Sequence, residues 1–360
     1  MPTMYADYVS ALCQHLAERG HEALLWGDIA VEMPEILGKL PHDAMLLNWL
    51  YSPEITEEKV RLVAESGAQQ YVCSAVHCWN ALLPHLDDAW NNISRLARYG
   101  VKYKAAGVLV TDWGDYGHVN DPRMDITGMI YGAQCAWNPL ADTDVESLNR
   151  SISIAEYGDQ SGEYVSQLRQ ATQCVAFGWD DAVHYLELDE GGHALNRDVL
   201  ASMWTDDEAV TASIRSSDSL DEARRGLLQW LAPKLEHAQD MNRDLKTAAL
   251  RLSVAISHSA AGHADIAQAA VVAIEGQRLF NDFGRLIAQQ VGVVDGAYSA
   301  DVARATARGL EEWGEQYCDV WRSVSEESEL RHVRDIIWRC ADALRDGEPE
   351  APDAAVSQVH

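Results

Sequence analysis

Residues 107–118, GVLVTDWGDYGH, carry the strongest indication of the fold in the first part of the chain. The stretch begins with an apolar run over residues 107–110, of the kind that forms a buried strand of a parallel sheet. It then changes to polar and aromatic residues with two glycines, a pattern typical of the rim at the C-terminal end of a barrel strand. Trp113 offers a flat apolar face, and Asp115 and His118 offer polar groups. An ordinary polar loop with a packed tryptophan would have the same sequence, so the stretch must be interpreted together with the strands that precede it.

Three further short apolar runs precede this stretch, with a predicted helix between each pair of runs. They span residues 23–26, 44–47 and 70–73. Alternating strands and helices favour a parallel sheet. Each predicted strand ends at, or shortly before, a tryptophan: Trp26, Trp49, Trp79 and Trp113. Any one of these indoles is most simply explained by packing, but parallel strands of a barrel would bring all four to one place. A pocket walled by indoles suits the apolar faces of a sugar ring and its acetyl methyl group.

The second part of the chain has a different pattern. Residues 151–345 show almost no strand signal and read as a series of helices separated by Gly, Asp and Ser. We therefore predict an α/β fold with a partial barrel over residues 1–145, followed by an all-α domain over residues 146–345. Residues 346–360 are rich in Pro, Ala, Asp and Glu and are predicted to be a disordered acidic tail.

Composition excludes several classes of partner. The chain has 360 residues and a formal net charge of −28 at pH 7. Such a surface repels nucleic acid phosphates and anionic membranes, so neither is expected as a partner. No apolar run reaches the length of about 18 residues that a membrane helix needs. The N-terminus shows no secretory signal, so we predict a cytoplasmic protein.

The cysteines and glycines give no indication of a cofactor. The chain has seven cysteines, which are spaced neither as a disulfide framework nor as metal ligands. We interpret them as free thiols in a reducing compartment. No Gly-rich phosphate loop is present either, so no cofactor and no metal ion are predicted.

Several of these segments, taken in order, resemble the C-terminal half of the catalytic barrel of glycoside hydrolase family 20, the β-N-acetylhexosaminidases. The resemblance covers roughly residues 5–160 and depends on order and spacing, because no single motif decides it. The segments that carry it are Leu25–Asp28, Asn48–Trp49, Val72–Asn80, Thr111–His118, Tyr131–Asn138 and Glu156–Asp159.

The resemblance implies an eight-stranded barrel and a retaining mechanism in which the 2-acetamido oxygen of the substrate attacks the anomeric carbon. In that family a Glu acts as general acid and the preceding Asp orients the acetamide, and both follow the fourth strand. The four strands of this chain resemble the fifth to the eighth, so Met1 falls just after the expected Asp-Glu pair. We therefore expect that the general acid is not in this chain, which would be a fragment or one part of a split protein. A half barrel exposes two strand edges and an apolar interior, so a second copy or a separate N-terminal half is the expected partner.

Two acidic motifs elsewhere are not assigned the catalytic role. Asp189-Glu190 lies in the helical region and follows no strand of the barrel series, so a polar loop explains it more simply. The acidic run at residues 206–208 follows Thr205 and is best interpreted as the first turn of a helix.

The resemblance assigns sugar-binding roles to residues at the strand ends. Trp26, Trp49 and Trp113 match the indoles that enclose the acetamido group and the sugar ring, and so orient the acetyl oxygen. The tyrosine that binds the acetamide oxygen in the family has no clear counterpart, because Trp79-Asn80 occupies that strand end, where the Asn80 amide is an alternative donor. The carboxylates of Asp28 and Asp115 are expected to accept hydrogen bonds from sugar hydroxyls. His118 is a candidate residue at the rim of the same site. The predicted substrate-binding residues are Trp26, Asp28, Trp49, Trp79, Asn80, Trp113 and Asp115.

Three hypotheses about function remain open on the sequence alone. The first is a β-N-acetylhexosaminidase-type chain acting on a carbohydrate with a terminal N-acetylhexosamine, with gluco or galacto configuration undecided. The second is a protein that binds such a sugar without catalysis. The third is a glycosidase in which Asp28 and Asp115 form the carboxylate pair. A carboxyl separation of about 5–5.5 Å would then favour retention, and one of about 6.5–9.5 Å inversion.

Overall fold

The computed structural model describes residues 2–188, 208–257 and 264–346. The chain forms two compact units, each assembled from separate segments. The first unit comprises Met1–Trp79, Pro84–Trp113 and Pro122–Arg169, and the second comprises Asn80–Leu83, Gly114–Asp121 and Gln170–His360. The Asp189-Glu190 pair, residues 206–207 and the acidic tail from residue 347 onward lie outside the described residues.

The first unit contains the predicted parallel sheet. Its strands are β1 (Leu24–Trp26), β2 (Met45–Trp49), β3 (Gln69–Ala75) and β4 (Gly107–Thr111), arranged side by side in the order β1-β2-β3-β4. All three strand pairs are parallel. The α/β class and the four-stranded parallel sheet are therefore confirmed. Because the strands run in one direction, their C-terminal ends lie along the same edge of the sheet.

Helices of the first unit follow the strands in alternation. They are α1 (Pro2–Ala17), α2 (Asp28–Glu32), a 3₁₀ helix (Pro34–Lys39), α3 (Glu58–Glu65), α4 (Leu86–Lys102), α5 (Pro122–Trp137) and α6 (Val145–Ala155). Helix α7 (Tyr164–Thr172) begins in the first unit and ends in the second.

One face of the sheet is covered by these helices. Leu46 packs in a cluster with residues of α1, and Val72 packs with Leu96 of α4. Helix α5 comes especially close to the sheet at a glycine. A Cβ at Gly132 would lie 2.4 Å from a methyl carbon of Val110, so only glycine permits this approach.

The opposite face of the sheet remains accessible. Side chains alternate between the two faces along each strand, so Leu24, Trp26, Trp49 and Leu109 share the face away from the helices. Their exposed fractions are 53%, 42%, 38% and 37% respectively. The sheet thus carries one packed face and one largely apolar face that remains partly in contact with solvent.

The described residues of the second unit form helices and no strand. These are α8 (Trp179–Glu187), α9 (Glu208–Arg215), α10 (Leu220–Leu235), α11 (Ala238–Ser257), α12 (Ala264–Gln290), α13 (Ala300–Arg322) and α14 (Leu330–Asp346). Buried aromatic rings pack edge to face in the core, with Phe280 between Trp179 and Trp313. None of the described helices combines the length and apolar character required to cross a membrane.

The segment Gly114–Asp121 belongs to the second unit although it begins only three residues after the end of β4. The hydroxyl of Tyr317 in α13 donates a 2.7 Å hydrogen bond to the carbonyl oxygen of Val119. Gly117 lies against Val333 of α14. These contacts with α13 and α14 explain why the loop after β4 is part of the helical unit.

Candidate functional site

Six rings form a continuous aromatic array at the C-terminal edge of the sheet in the first unit. The array contains the four predicted tryptophans together with Tyr51 and His77. Its ring-centroid distances are 5.8 Å for Trp26–Trp113, 6.5 Å for Tyr51–Trp113, 5.1 Å for Trp49–Tyr51, 5.6 Å for Tyr51–Trp79 and 4.8 Å for His77–Trp79. The structure thus brings together the tryptophans that the sequence places at four separate strand ends.

The strands position the rings of the array. Trp26 and Trp49 are the last residues of β1 and β2, and Trp113 follows β4 by two residues. Since the strands are parallel and adjacent, residues at their C-terminal ends converge on the same edge. Trp26 and Trp49 are 42% and 38% exposed, so the array offers aromatic faces that a ligand can reach.

Tyr51 lies at the centre of the array and contacts three of its tryptophans. The indole Nε1 of Trp113 donates a 2.8 Å hydrogen bond to the Tyr51 hydroxyl. The hydroxyl oxygens of Tyr51 and Thr111 lie 3.3 Å apart, and Thr111 in turn donates to the carbonyl oxygen of Ser74. Sequence reasoning did not select Tyr51. The available signal was an aromatic residue two positions after Trp49, with the buried Leu50 between them.

Asn92 of α4 holds the loop that carries Tyr51. Its side chain is fully buried and donates to the carbonyl oxygens of Leu50 and Ser52 at 2.7 and 3.0 Å. Its amide oxygen accepts a 3.1 Å hydrogen bond from the backbone N–H of Ala75 at the end of β3. One side chain therefore satisfies three backbone groups and fixes the ends of β2 and β3 to each other. Its position in the middle of an amphipathic helix gave no sequence signal of this role.

His77 is the end member of the array beside Trp79. It is 7% exposed, and its backbone has a φ of 57°, in the left-handed region that is uncommon for residues other than glycine. Burial, with the charge of His85 as a second cause, lowers the pKa of the His77 imidazole to about 4. Contacts with the Asn92 side chain and the Tyr51 backbone favour the charged form and offset part of this effect. The ring is consequently neutral near pH 7.

The polar residues predicted for the site are divided between the two units. Asp28 is exposed and opens α2 in the first unit. Asn80, Asp115 and His118 belong to the second unit. Asp115 is exposed at the start of a short 3₁₀ helix, and Asn80 and His118 have φ values of 57° and 52°. The sugar-binding roles of these residues stay predictions.

Three donor atoms of the first unit lie close enough together for a metal ion. They belong to Cys78, Asp112 and Asp125, and all lie within 4.8 Å of one another. Burial and the neighbouring carboxylates of Asp125 and Asp112 raise the pKa of the Cys78 thiol. A metal ion would bind the thiolate form of Cys78, so its binding would release the thiol proton. The Cys78 thiol donates a 3.4 Å hydrogen bond to the carbonyl oxygen of Val76.

No known protein-family model matches this chain, and no curated protein sequence matches it. The case for a function therefore depends on the residues of the aromatic array and on the order of the strand-end motifs.

The array can hold an apolar, ring-shaped ligand, but it carries no acid of its own. Indole and phenol faces stack on the C–H faces of sugars, and the Tyr51 hydroxyl and His77 imidazole add polar groups. The six side chains of the array include no carboxylic acid, the group that would donate a proton to a leaving group. The chemistry that the array supports by itself is binding and orientation.

Proposed function

We propose that the first unit holds a terminal N-acetylhexosamine on the aromatic array, as the sugar-binding half of a β-N-acetylhexosaminidase-type protein. The observation that carries this proposal is the continuous aromatic array, in which Trp49, Trp79 and Trp113 contact Tyr51 and Trp26 contacts Trp113. Indole faces suit a ligand with two apolar surfaces, the sugar ring and the acetyl methyl group.

The finer architecture that we propose is the last four strands of an eight-stranded barrel. In the described residues β1 pairs with β2 alone and β4 with β3 alone, so each outer strand has one edge without a partner strand. Helices cover one face, while Leu24 and Leu109 are exposed on the other. Four further parallel strands, from a second copy or from a separate N-terminal half, would cover this face and both edges.

Hydrolysis within this proposal needs a general acid from outside the array. The acetamide oxygen attacks the anomeric carbon, the bond to the leaving oxygen breaks, and the leaving oxygen takes a proton from a carboxylic acid. None of the four strands is followed directly by an Asp-Glu pair, and Asp189-Glu190 lies outside the described residues. This favours a second candidate function, binding of N-acetylhexosamine without hydrolysis. The third hypothesis, catalysis by Asp28 and Asp115, stays a prediction.

Two assays on the purified chain test sugar binding, which the first two candidates share, and separate both of them from the third hypothesis. The first follows release of nitrophenol from 4-nitrophenyl N-acetyl-β-glucosaminide, and the second follows binding of N-acetylglucosamine. Binding without turnover is the expected result for this chain alone. Robust turnover would contradict the assignment of the general acid to another chain, and loss of turnover in both D28N and D115N would then support the third hypothesis. Absence of binding would contradict the proposed function.

A further inference from the structure

Two helices of the first unit each expose a row of three apolar side chains, and the two rows have the same spacing, i, i+4 and i+8. Residues four apart on a helix lie one above the other, so each row forms a continuous ridge. The exposed face of a surface helix is ordinarily polar. The exposed side chains are Met4, Tyr8 and Leu12 in the α1 row and Met129, Ala133 and Trp137 in the α5 row.

The two rows lie at opposite ends of the four-stranded sheet. The buried side of α1 packs in a cluster with Ala23, which precedes β1, and with Leu46 of β2. Gly132 of α5 lies against Val110 of β4. Strands β1 and β4 are the outer strands, and in the described part of the chain each pairs along one edge alone. Each end of the sheet therefore combines an unpaired strand edge with an apolar row on a helix.

A second copy of the chain carries the surfaces that both ends need. A two-fold axis parallel to the strands places the β1 end of each copy against the β4 end of the other, with all strands still running in one direction. Helix α1 of one copy then meets α5 of its partner. Ridges formed by residues four apart interdigitate in the commonest mode of helix packing. One kind of contact, made twice, covers both ends of both copies.

Charge restricts where two copies can meet. The chain has a formal net charge of −28 at pH 7, so two copies repel each other over most of their surface. None of the six side chains in the two rows is charged. Contact along the rows therefore buries apolar side chains and no charged group of the rows themselves.

The rows also expose enough apolar area to contribute substantially to an interface. Tyr8 is 71% exposed and Trp137 is 90% exposed. Because an aromatic side chain buries about 150–250 Å², these two residues offer on the order of 300 Å². A stable interface takes about 800 Å² from each partner. The other residues of the rows, with the exposed Leu24 of β1 and Leu109 of β4, add to this area at the same two ends of the sheet.

We propose that the chain forms a two-fold symmetric dimer in which the α1 row of each copy packs against the α5 row of its partner. The unpaired edges of β1 and β4 then lie beside each other across the interface. This inference rests on the architecture put forward under the proposed function and makes a second copy the source of the further strands. Each copy keeps all six rings of its own aromatic array, so sugar binding on the array does not require the dimer.

Sedimentation velocity of the wild type, A133E and A17E tests the dimer. The wild type is expected to sediment at micromolar concentration with twice the mass of one chain, and more tightly associated at higher salt, which screens the repulsion. A133E puts a carboxylate into the α5 row and should raise the dissociation constant at least about tenfold. Ala17 is the matched control, an exposed alanine on the side of α1 opposite Tyr8, so A17E should dimerise as the wild type does. A monomeric wild type, or equal association of all three proteins, would overturn the proposal.

Cross-linking identifies the helices that meet and does not depend on how A133E folds. L12C chains mixed with A133C chains and treated with a short bismaleimide are expected to give a covalent dimer. Either variant alone should give no more of it than the wild type, which controls for the native cysteines, all but Cys174 of them buried. Equally efficient cross-linking of L12C alone would contradict the pairing of α1 with α5.

Titration with N-acetylglucosamine separates failure of this inference from failure of the proposed function. A133E is expected to bind the sugar with the wild-type Kd, which also shows that the variant is folded. A monomeric wild type that binds the sugar overturns the dimer and leaves the sugar-binding function standing. A dimeric wild type with the expected cross-link that binds no sugar supports the dimer and contradicts the function.

Discussion

The indole Nε1 of Trp113 donates a 2.8 Å hydrogen bond to the hydroxyl of Tyr51 and so links the loop after β4 to the loop after β2. These two strands are separated by β3 in the sheet, so the bond spans the strand between them. It fixes the angle between two rings whose centroids are 6.5 Å apart. The relationship makes Tyr51 the residue that organises the candidate site.

Replacement of Tyr51 by Phe is expected to keep the ring and lose the hydrogen bond to Trp113. The loss should lower the free energy of unfolding by about 1 kcal/mol, the usual net contribution of one such bond. Urea unfolding followed by tryptophan fluorescence measures the change. Y8F is the matched control, since Tyr8 is 71% exposed on α1. Equal stability of Y51F and Y8F would contradict the central role of the Tyr51 hydroxyl.

Replacement of Asn92 by Ala is expected to be among the most destabilising changes in the first unit. It leaves the Leu50 and Ser52 carbonyl groups and the Ala75 N–H without their partner, at a cost of about 3 kcal/mol. The neighbouring Asn91 is exposed on the same helix, so N91A should change stability by less than about 0.5 kcal/mol. Chemical denaturation of both variants compares them. A similar small effect for N92A would show that the loop is held by other contacts.

Replacement of Gly132 by Ala tests the close packing of α5 on the sheet. The new Cβ would lie 2.4 Å from the Val110 side chain, so either helix α5 or the Val110 side chain must move. We expect a loss of roughly 1–3 kcal/mol, as for other overpacked cores. Gly38 has open space around its Cβ position, and G38A should be tolerated. Thermal unfolding of the two variants measures the difference, and a G132A protein as stable as G38A would contradict this packing.

Acid is expected to destabilise the protein through its buried neutral histidines. The pKa values of His77 and His184 are lowered from 6.5 to about 4, with burial as the first cause for both. Between these values the unfolded chain binds more protons than the folded chain, so the stabilisation is complete above pH 6.5 and is lost as pH falls through 4. Each histidine contributes at most about 3 kcal/mol to this loss.

The pH effect is measured as the free energy of unfolding between pH 7 and pH 4. H77N and H184N should each show a smaller decrease over this range than the wild type. H42N, which changes an exposed histidine, should follow the wild type. Parallel curves for all four proteins would contradict the assignment of neutral rings to His77 and His184.

The sequence predicted the parts of the structure that depend on local pattern. Short apolar runs separated by helical segments were enough to predict β1 to β4 and their parallel arrangement. Tryptophans at strand ends could be recognised for the same reason, since strand direction alone decides that they share one edge.

Features that depend on distant contacts could not be predicted. Asn92 binds backbone groups 40 and 42 residues away, and nothing in its own helix indicates those partners. Tyr51 gains its position from Trp113, which is 62 residues later in the chain. Asp115 follows Trp113 by two residues yet belongs to the second unit, because the loop after β4 contacts α13 and α14. Sequence order cannot reveal such a change of unit.

The measurement that tests the central claim most directly is calorimetric titration of the purified chain with N-acetylglucosamine, for the wild type, W113A and W137A. Trp137 is the matched control, because its side chain is 90% exposed at the end of α5 and is not part of the array. We predict that W113A raises the Kd at least about tenfold, as expected for loss of a stacked indole, while W137A binds as the wild type does. Equal affinity of all three proteins, or no binding by the wild type, would contradict the claim that the aromatic array is a sugar-binding site.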